Sequence, residues 1–162
     1  ETPISWNQAG LAGPTSPPRV FDGNGRDLGA YAGLGVVGGS YRYRVLLEDL
    51  GVTVIIEGYT GELLRGRVTY ELPLCEGQGY VSSYMSNTVF PDPPSPSSLL
   101  IGTTSEFLPA HNYQSSASGG VCSPQQEGSK TNVIPVGEFT QDLGLTFPVP
   151  LPLWLGGRDD SP

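Results

Sequence analysis

Positive charge is scarce in this sequence. It has eight basic residues, of which Lys130 is the only lysine, against sixteen acidic ones, and its formal net charge is -8. Nucleic acids and anionic membrane surfaces are bound by clustered positive charge, so we expect neither as a partner. No apolar run approaches the roughly 20 residues of a transmembrane helix, which predicts a chain without a transmembrane segment.

Residues that commonly carry catalysis or bind metals are also few. His111 is the only histidine, so a serine or cysteine triad would depend on it, with Ser115, Ser116 or another serine as the nucleophile. No G-x-S-x-G motif supports that possibility. Two distant cysteines and one histidine do not make a structural zinc site. We therefore predict a non-enzymatic protein that needs no cofactor and no metal.

Glycine and proline, by contrast, are abundant, at 23 and 16 residues, whereas charged residues make up only 15% of the chain. Both residue types interrupt helices, so the composition predicts many turns and no long helix. The length of 162 residues is sufficient for a domain with its own core.

Alternation with a period of two marks the predicted strands. In residues 67–72 Arg, Thr and Glu alternate with Val, Tyr and Leu, which places polar and apolar side chains on opposite faces. Residues 41–48 and 52–57 form the clearest predicted hairpin, and residues 67–72 are expected to follow them in an antiparallel meander. Residues 131–140 predict a further strand, in which Pro135 indicates an edge or a bulge.

The tetrapeptide Asp-Gly-Asn-Gly at residues 22–25 predicts a tight turn, within a hairpin over residues 19–34. Asp22, Asn24 and Asp27 are also the residue types of a calcium loop. They lack the full spacing and the distal glutamate of an EF-hand, so the turn is the favoured interpretation.

Cys75 and Cys122 are the only cysteines, and each lies beside a glycine-rich turn. In a chain of this composition they favour one disulfide and an oxidising compartment; two buried thiols are the alternative. The first residue, Glu1, follows no methionine or charged leader, which is expected after removal of a signal peptide and also after trimming.

Both ends of the chain are predicted to be extended and proline-rich. Residues 1–18 form an N-terminal arm. Within residues 145–162, the prolines at positions 148, 150 and 152 remove N–H donors from one edge, which excludes a central strand. The candidate apolar anchors of the two ends are Ile4, Trp6, Leu11, Leu151, Leu153 and Trp154. Each end either folds back on its own domain or docks on a neighbouring copy.

Four of the eight tyrosines are candidates for exposed rings: Tyr59, Tyr80, Tyr84 and Tyr113. Exposed aromatic rings stack on sugars or anchor interfaces. Ordinary packing within a β-sheet is the alternative.

The order of several motifs resembles a group of bacterial secreted or surface domains without an assigned activity. The motifs are a V-x-D-x-x-G hairpin at residues 20–29, an acidic-Cys-Gly turn within residues 70–80, G-G-x-C at residues 119–122 and a proline-rich closing strand at residues 136–155. The resemblance implies an extracellular β-domain with a bridge between Cys75 and Cys122. It implies no catalytic residues, and residues 1–18 lie outside it.

We therefore expect an all-β protein, an antiparallel sandwich or partly open barrel with one disulfide, in which residues 19–144 form the β-domain between two extended ends. The expected function is that of a secreted structural protein that assembles with copies of itself into an extracellular fibre or surface layer, because extended ends can pair with a neighbour's sheet edge. The alternative is an extracellular binding module that recognises glycans through its tyrosines.

Overall fold

A computed structural model describes residues 17–37, 40–103 and 108–156, without the side chains of residues 34–37. The described part is built of fourteen β-strands and two short 3-10 turns, and it contains no α-helix. The predicted all-β class is confirmed. None of the described helical turns is long and apolar enough to cross a bilayer.

The first seven strands are β1 (Arg19–Phe21), β2 (Asp27–Val37), β3 (Ser40–Leu47), β4 (Val52–Glu57), β5 (Arg67–Tyr70), β6 (Gly79–Ser82) and β7 (Thr88–Pro91). The others are β8 (Leu99–Gly102), β9 (His111–Tyr113), β10 (Ser115–Ser118), β11 (Val121–Ser123), β12 (Gly128–Lys130), β13 (Val133–Phe139) and β14 (Trp154–Gly156). The 3-10 turns span Pro73–Cys75 and Ser83–Met85.

Twelve of these strands form one open sheet in the order β11-β10-β5-β6-β13-β8-β7-β4-β3-β2-β1-β14, and β9 and β12 form a separate two-stranded ribbon. All pairs are antiparallel except β4 and β7, which are parallel. The sheet is therefore mixed, whereas the sequence predicted antiparallel pairing only.

Both predicted hairpins near the N-terminus are confirmed. β1 and β2 flank the turn at residues 22–26, and β3 and β4 flank the turn at residues 48–51. The meander, however, ends at β4. The expected continuation into residues 67–72 is wrong, because β5 pairs with β6 and β10 instead.

The sheet folds back on itself into two layers, because residues on distant strands share one core. The front layer contains β14, β1–β4, β7 and β8, and the back layer contains β11, β10, β5 and β6. β13 belongs to both layers, since residues 133–135 pair with β6 and residues 136–139 pair with β8. Pro135 thus lies where the strand changes partners, and not at an edge of the sheet.

Strand β4 is buried on both faces and separates two apolar cores. Val52, Val54 and Ile56 point into the outer core, and Ile55 points into the inner core. The inner core lies between the layers, where Ile55 and Phe90 meet back-layer residues such as Val68. Adjacent residues alternate between the two cores, as the geometry of a strand requires.

The outer core is covered by the C-terminal strap, which we define as residues 143–153. Val149 and Leu153 of the strap are buried in the outer core, and Leu145 and Phe147 pack against its margin. The strap is held by few backbone hydrogen bonds, among them Gly23 N to the Pro150 carbonyl (2.9 Å) and Val149 N to the Gly61 carbonyl (2.9 Å). Side-chain packing therefore provides most of its attachment.

Two glycines allow the strap to approach the front layer closely. A Cβ atom at Gly23 would collide with the Leu151 carbonyl group, and one at Gly61 would collide with that of Val149. The Asp-Gly-Asn-Gly turn is thus both a hairpin turn and the docking point of the strap.

The predicted disulfide between Cys75 and Cys122 is present. It connects the 3-10 turn Pro73–Cys75 to the edge strand β11. Leu74 and Cys75 both have positive φ angles, of 63° and 59°, which cost free energy in residues other than glycine. Hydrogen bonds from Leu74 N to the Pro124 carbonyl and from Cys75 N to Ser115 Oγ hold this conformation.

Removal of the disulfide is expected to destabilise the protein by about 4 kcal/mol, because the bridge closes a loop of 47 residues in the unfolded chain. The variant Cys75→Ser combined with Cys122→Ser avoids a free thiol. Urea unfolding of the two proteins measures the difference. Equal unfolding midpoints without reductant would contradict this expectation.

The substitution Gly23→Ala is expected to lower the free energy of unfolding by about 1–3 kcal/mol, because the added methyl group must displace the strap. Gly137→Ala is the matched control, since the nearest atom to a Cβ there is Thr103 Cγ2 at 3.9 Å. Urea unfolding of both variants tests the difference. If the two substitutions have equal effects, the strap does not depend on Gly23.

Candidate functional site

Buried polar side chains concentrate on the back layer. Within the described ranges, the buried polar residues are Asp22, Thr69, Thr88, His111, Ser115 and Ser116. Four of the six belong to β5, β9 and β10. Because burial of a polar group costs free energy unless it is hydrogen-bonded, this region is the candidate functional site.

The ribbon of β9 and β12 brings the site together. Its register places Lys130 opposite His111 and Gly128 opposite Tyr113, so these four residues share one face. A Cβ atom at Gly128 would collide with the Tyr113 hydroxyl and its ring. Glycine at position 128 therefore lets the phenol ring lie across the neighbouring strand.

His111 contacts the sheet through Tyr80. The two ring centroids are 4.0 Å apart, and those of His111 and Tyr113 are 6.5 Å apart. The Tyr80 hydroxyl donates a hydrogen bond of 2.8 Å to Glu71 Oε1. Burial and then the neighbouring Glu71 carboxylate raise the pKa of Tyr80 above its ordinary value, so the phenol remains protonated and continues to donate.

The imidazole of His111 is only 6% exposed, and its Nε2 atom has no hydrogen-bond partner among the described residues. Burial lowers the pKa of His111 below its ordinary value; the Glu71 carboxylate opposes this shift and the Lys130 ammonium adds to it. His111 is therefore a neutral, ring-stacked side chain at neutral pH.

A polar network runs beside the stacked rings. Arg67 Nη2 donates to Ser116 Oγ (3.2 Å) and to Gln126 Oε1 (2.9 Å), and Ser116 Oγ also donates to Gln126 Oε1 (2.7 Å). Ser115 lies on the opposite face of β10, where its Oγ accepts from Cys75 N and donates to the Leu72 carbonyl. Both serine hydroxyls thus have partners other than the unpaired Nε2 of His111.

The four candidate tyrosines lie in different environments. Tyr80 was expected to be exposed but is buried, because the His111 ring covers it. Tyr113 lines an open cavity of about 530 Å³ together with Asn112, Gln114, Glu127 and Gly128. Tyr59 is 62% exposed and lies near Tyr41, with centroids 6.0 Å apart, and Tyr84 is exposed as well.

The candidate anchors of the C-terminal segment make contacts within their own chain. Leu153 is buried in the outer core. The Trp154 ring stacks on Phe21 at 4.4 Å, and its Nε1 donates to the Asp22 carbonyl. Leu151 remains 41% exposed. The N-terminal candidates Ile4, Trp6 and Leu11 lie outside the described residues.

The two aspartates of the candidate calcium loop, Asp22 and Asp27, have structural partners. Asp22 Oδ1 accepts hydrogen bonds from the backbone N–H groups of Asn24 and Arg26, at 2.9 Å each. The Asp27 carboxylate pairs with Arg19. Across the residues that the structure describes, no group of three or more His, Cys, Asp or Glu side chains is placed to hold a metal ion.

Sequence reasoning named Tyr80, Tyr113 and His111 separately and missed Arg67 and Lys130 as part of one site. The site combines β5, β6, β9, β10 and β12, whose pairing depends on contacts between distant segments. The scarcity of lysine and histidine is the one signal in the sequence that could have singled out Lys130 and His111.

Acidification is expected to destabilise the protein through His111. Its native pKa is lowered, whereas in the unfolded chain it has the ordinary value of 6.5. The unfolded state therefore binds more protons below pH 6.5, so the free energy of unfolding should fall as the pH drops through this interval and level off below the native pKa.

Urea unfolding of the wild type and His111→Gln, between about pH 7.5 and 4.5, measures this contribution. Asp92, whose pKa is raised by burial and then by Glu138, titrates in both proteins, so the difference between them isolates His111. Parallel pH profiles would contradict the expectation.

Comparisons of this chain with protein-family models, with curated proteins and with solved structures find no match.

Proposed function

We propose that the protein is a non-enzymatic, secreted structural protein that assembles with copies of itself through the edges of its large sheet and its terminal segments. The observation that carries the proposal is the open sheet, whose two edge strands each present an exposed apolar side chain. In this proposal the protein is a subunit of an extracellular fibre or a surface layer.

The edges are β11 and β14, each of which pairs with one strand only in the described part of the chain. Val121 on β11 is 66% exposed, and Leu155 on β14 is 45% exposed. Unpaired backbone groups beside apolar side chains are the features that recruit another strand. Contact between one edge and the opposite edge of the next copy is head-to-tail and extends into a filament unless it closes into a ring.

The terminal segments support the same proposal. The N-terminal arm leads into β1, the strand next to the edge strand β14. Its sixteen residues before residue 17 can reach roughly 50 Å when extended, so Ile4, Trp6 and Leu11 are proposed to contact a neighbouring copy. Leu151, on the outer side of the strap, is the exposed candidate at the C-terminal end.

An extracellular location is part of this proposal. It is supported by the Cys75–Cys122 disulfide, because such bonds persist in oxidising compartments and are rare in reducing ones.

A second candidate function is saccharide binding, favoured by the cavity beside Tyr113. Its lining combines an aromatic ring with the amides of Asn112 and Gln114 and the carboxylate of Glu127. An aromatic surface with a few polar groups is the usual composition of a small-molecule site.

Assembly is expected to depend on the edge strands. Val121→Lys and Leu155→Lys each place a charge on an edge, which prevents strand addition. Light scattering with negative-stain microscopy should find polymers of the wild type and mainly monomers of each variant. Gln141→Lys adds the same charge at an exposed loop position and should assemble as the wild type does.

Trp6→Ser in the full chain tests the N-terminal arm separately. If this variant assembles at the same protein concentration as the wild type, the arm is not part of the assembly contact. A wild type that stays monomeric at all concentrations would contradict self-assembly. Saccharide binding would then be the remaining candidate, and its loss in Tyr113→Ala would locate it at the cavity.

A further inference from the structure

Two basic side chains in the described part of the chain contact neither a carboxylate nor a backbone carbonyl, although the chain has twice as many acidic as basic residues. Within the described ranges, Arg19, Arg42 and Arg65 pair with carboxylates, and Arg26 and Arg44 donate to backbone carbonyls. Arg67 hydrogen-bonds only to the neutral Ser116 and Gln126. Lys130 forms neither an ion pair nor a side-chain hydrogen bond in the same part of the chain.

These two cations lie on the same side of the back layer. Lys130 shares a ribbon face with His111, which stacks on Tyr80 of the back layer. Tyr80 is paired with Thr69 in the register of β5 and β6, and Arg67 is two residues before Thr69 on the same strand face. Burial and then the Arg67 charge lower the pKa of Lys130, as expected for two positive groups without a shared anion.

The carboxylates of this region are directed elsewhere. Glu71 accepts the hydrogen bond of the Tyr80 hydroxyl, and Glu127 is exposed at the open cavity. Lys130 is half-buried and Arg67 is exposed, and their like charges repel each other, which an anion bound between them would relieve. The guanidinium of Arg67 uses only Nη2 in its described hydrogen bonds, so donors on Nε and Nη1 remain for a ligand.

From this arrangement we infer that Arg67 and Lys130 form a binding site for an oxyanion, the carboxylate or sulfate group of a small ligand, between β5 and the ribbon. Arg67 supplies a planar pair of N–H donors and Lys130 supplies a mobile ammonium group. His111 lies beside the site, so the negative charge of a bound ligand is expected to change the protonation of its imidazole. The inference goes beyond the proposed function, because it requires neither self-assembly nor the cavity beside Tyr113.

The experiment uses the single histidine as a reporter. The imidazole signals of His111 are followed by NMR in the full chain while sodium sulfate or sodium glucuronate replaces sodium chloride at constant ionic strength. We expect a saturable shift with sulfate. A bound anion should also raise the pKa of His111, which a general effect of salt would not do in a saturable manner.

Three variants locate the site. Lys130→Gln and Arg67→Gln should each weaken the apparent affinity for sulfate at least tenfold, whereas Arg65→Gln, at an exposed position, should leave it unchanged. The wild-type titration is informative on its own if either site variant fails to fold. Binding of sulfate alone indicates that the site selects a sulfate group, and binding of both probes shows that it also accepts the carboxylate of an acidic sugar.

The inference is wrong if the His111 signals move linearly with sulfate, if chloride produces the same shift, or if Lys130→Gln binds sulfate as tightly as the wild type does.

Discussion

The structure depends on a sheet that is apolar on both faces. Val54 and Ile55 are adjacent in β4, yet each is buried in a different core, so neither face of this strand tolerates water. A sheet of this kind needs a cover on each side. The back layer covers one face and the C-terminal strap covers the other. Both covers come from the same chain, which explains why the strand order departs from the chain order beyond β4.

The two covers differ in how they are attached. The back layer is continuous with the front layer through β13, and the disulfide restrains its outer edge. The strap is held by side-chain packing and by close backbone contacts at Gly23 and Gly61. The outer surface of the back layer is then left for polar groups, and the ribbon lies over it through the stacking of His111 on Tyr80. The site therefore depends on the layering of the fold. It needs a face of the back layer that carries no apolar core and that the ribbon covers.

Local features of the fold could be predicted from the sequence, and features between distant segments could not. The hairpins of β1–β2 and β3–β4 follow from alternation and turn residues that lie next to one another in the chain. The disulfide followed from having only two cysteines. The parallel pairing of β4 with β7 and the move of β5 to the back layer accompany a connection in which Leu63 and Leu64 are buried, one in each core. No short window of sequence contains that information. Tyr80 illustrates the same limit, because its burial is caused by a histidine 31 positions away (111 minus 80).

The strap also bears on where copies of the protein could contact one another. An apolar, proline-rich end suggested an assembly device in the sequence, but the same residues are what the outer core needs as a cover. Leu153 and Trp154 cannot bind a neighbour and cover their own domain at the same time. If the strap stays on its own chain, the β11 and β14 edges and Leu151 are still exposed and remain available for the proposed assembly. The role of an apolar terminal segment can therefore be assigned only when its contacts with its own core are known. Here the core buries most of the segment's apolar side chains.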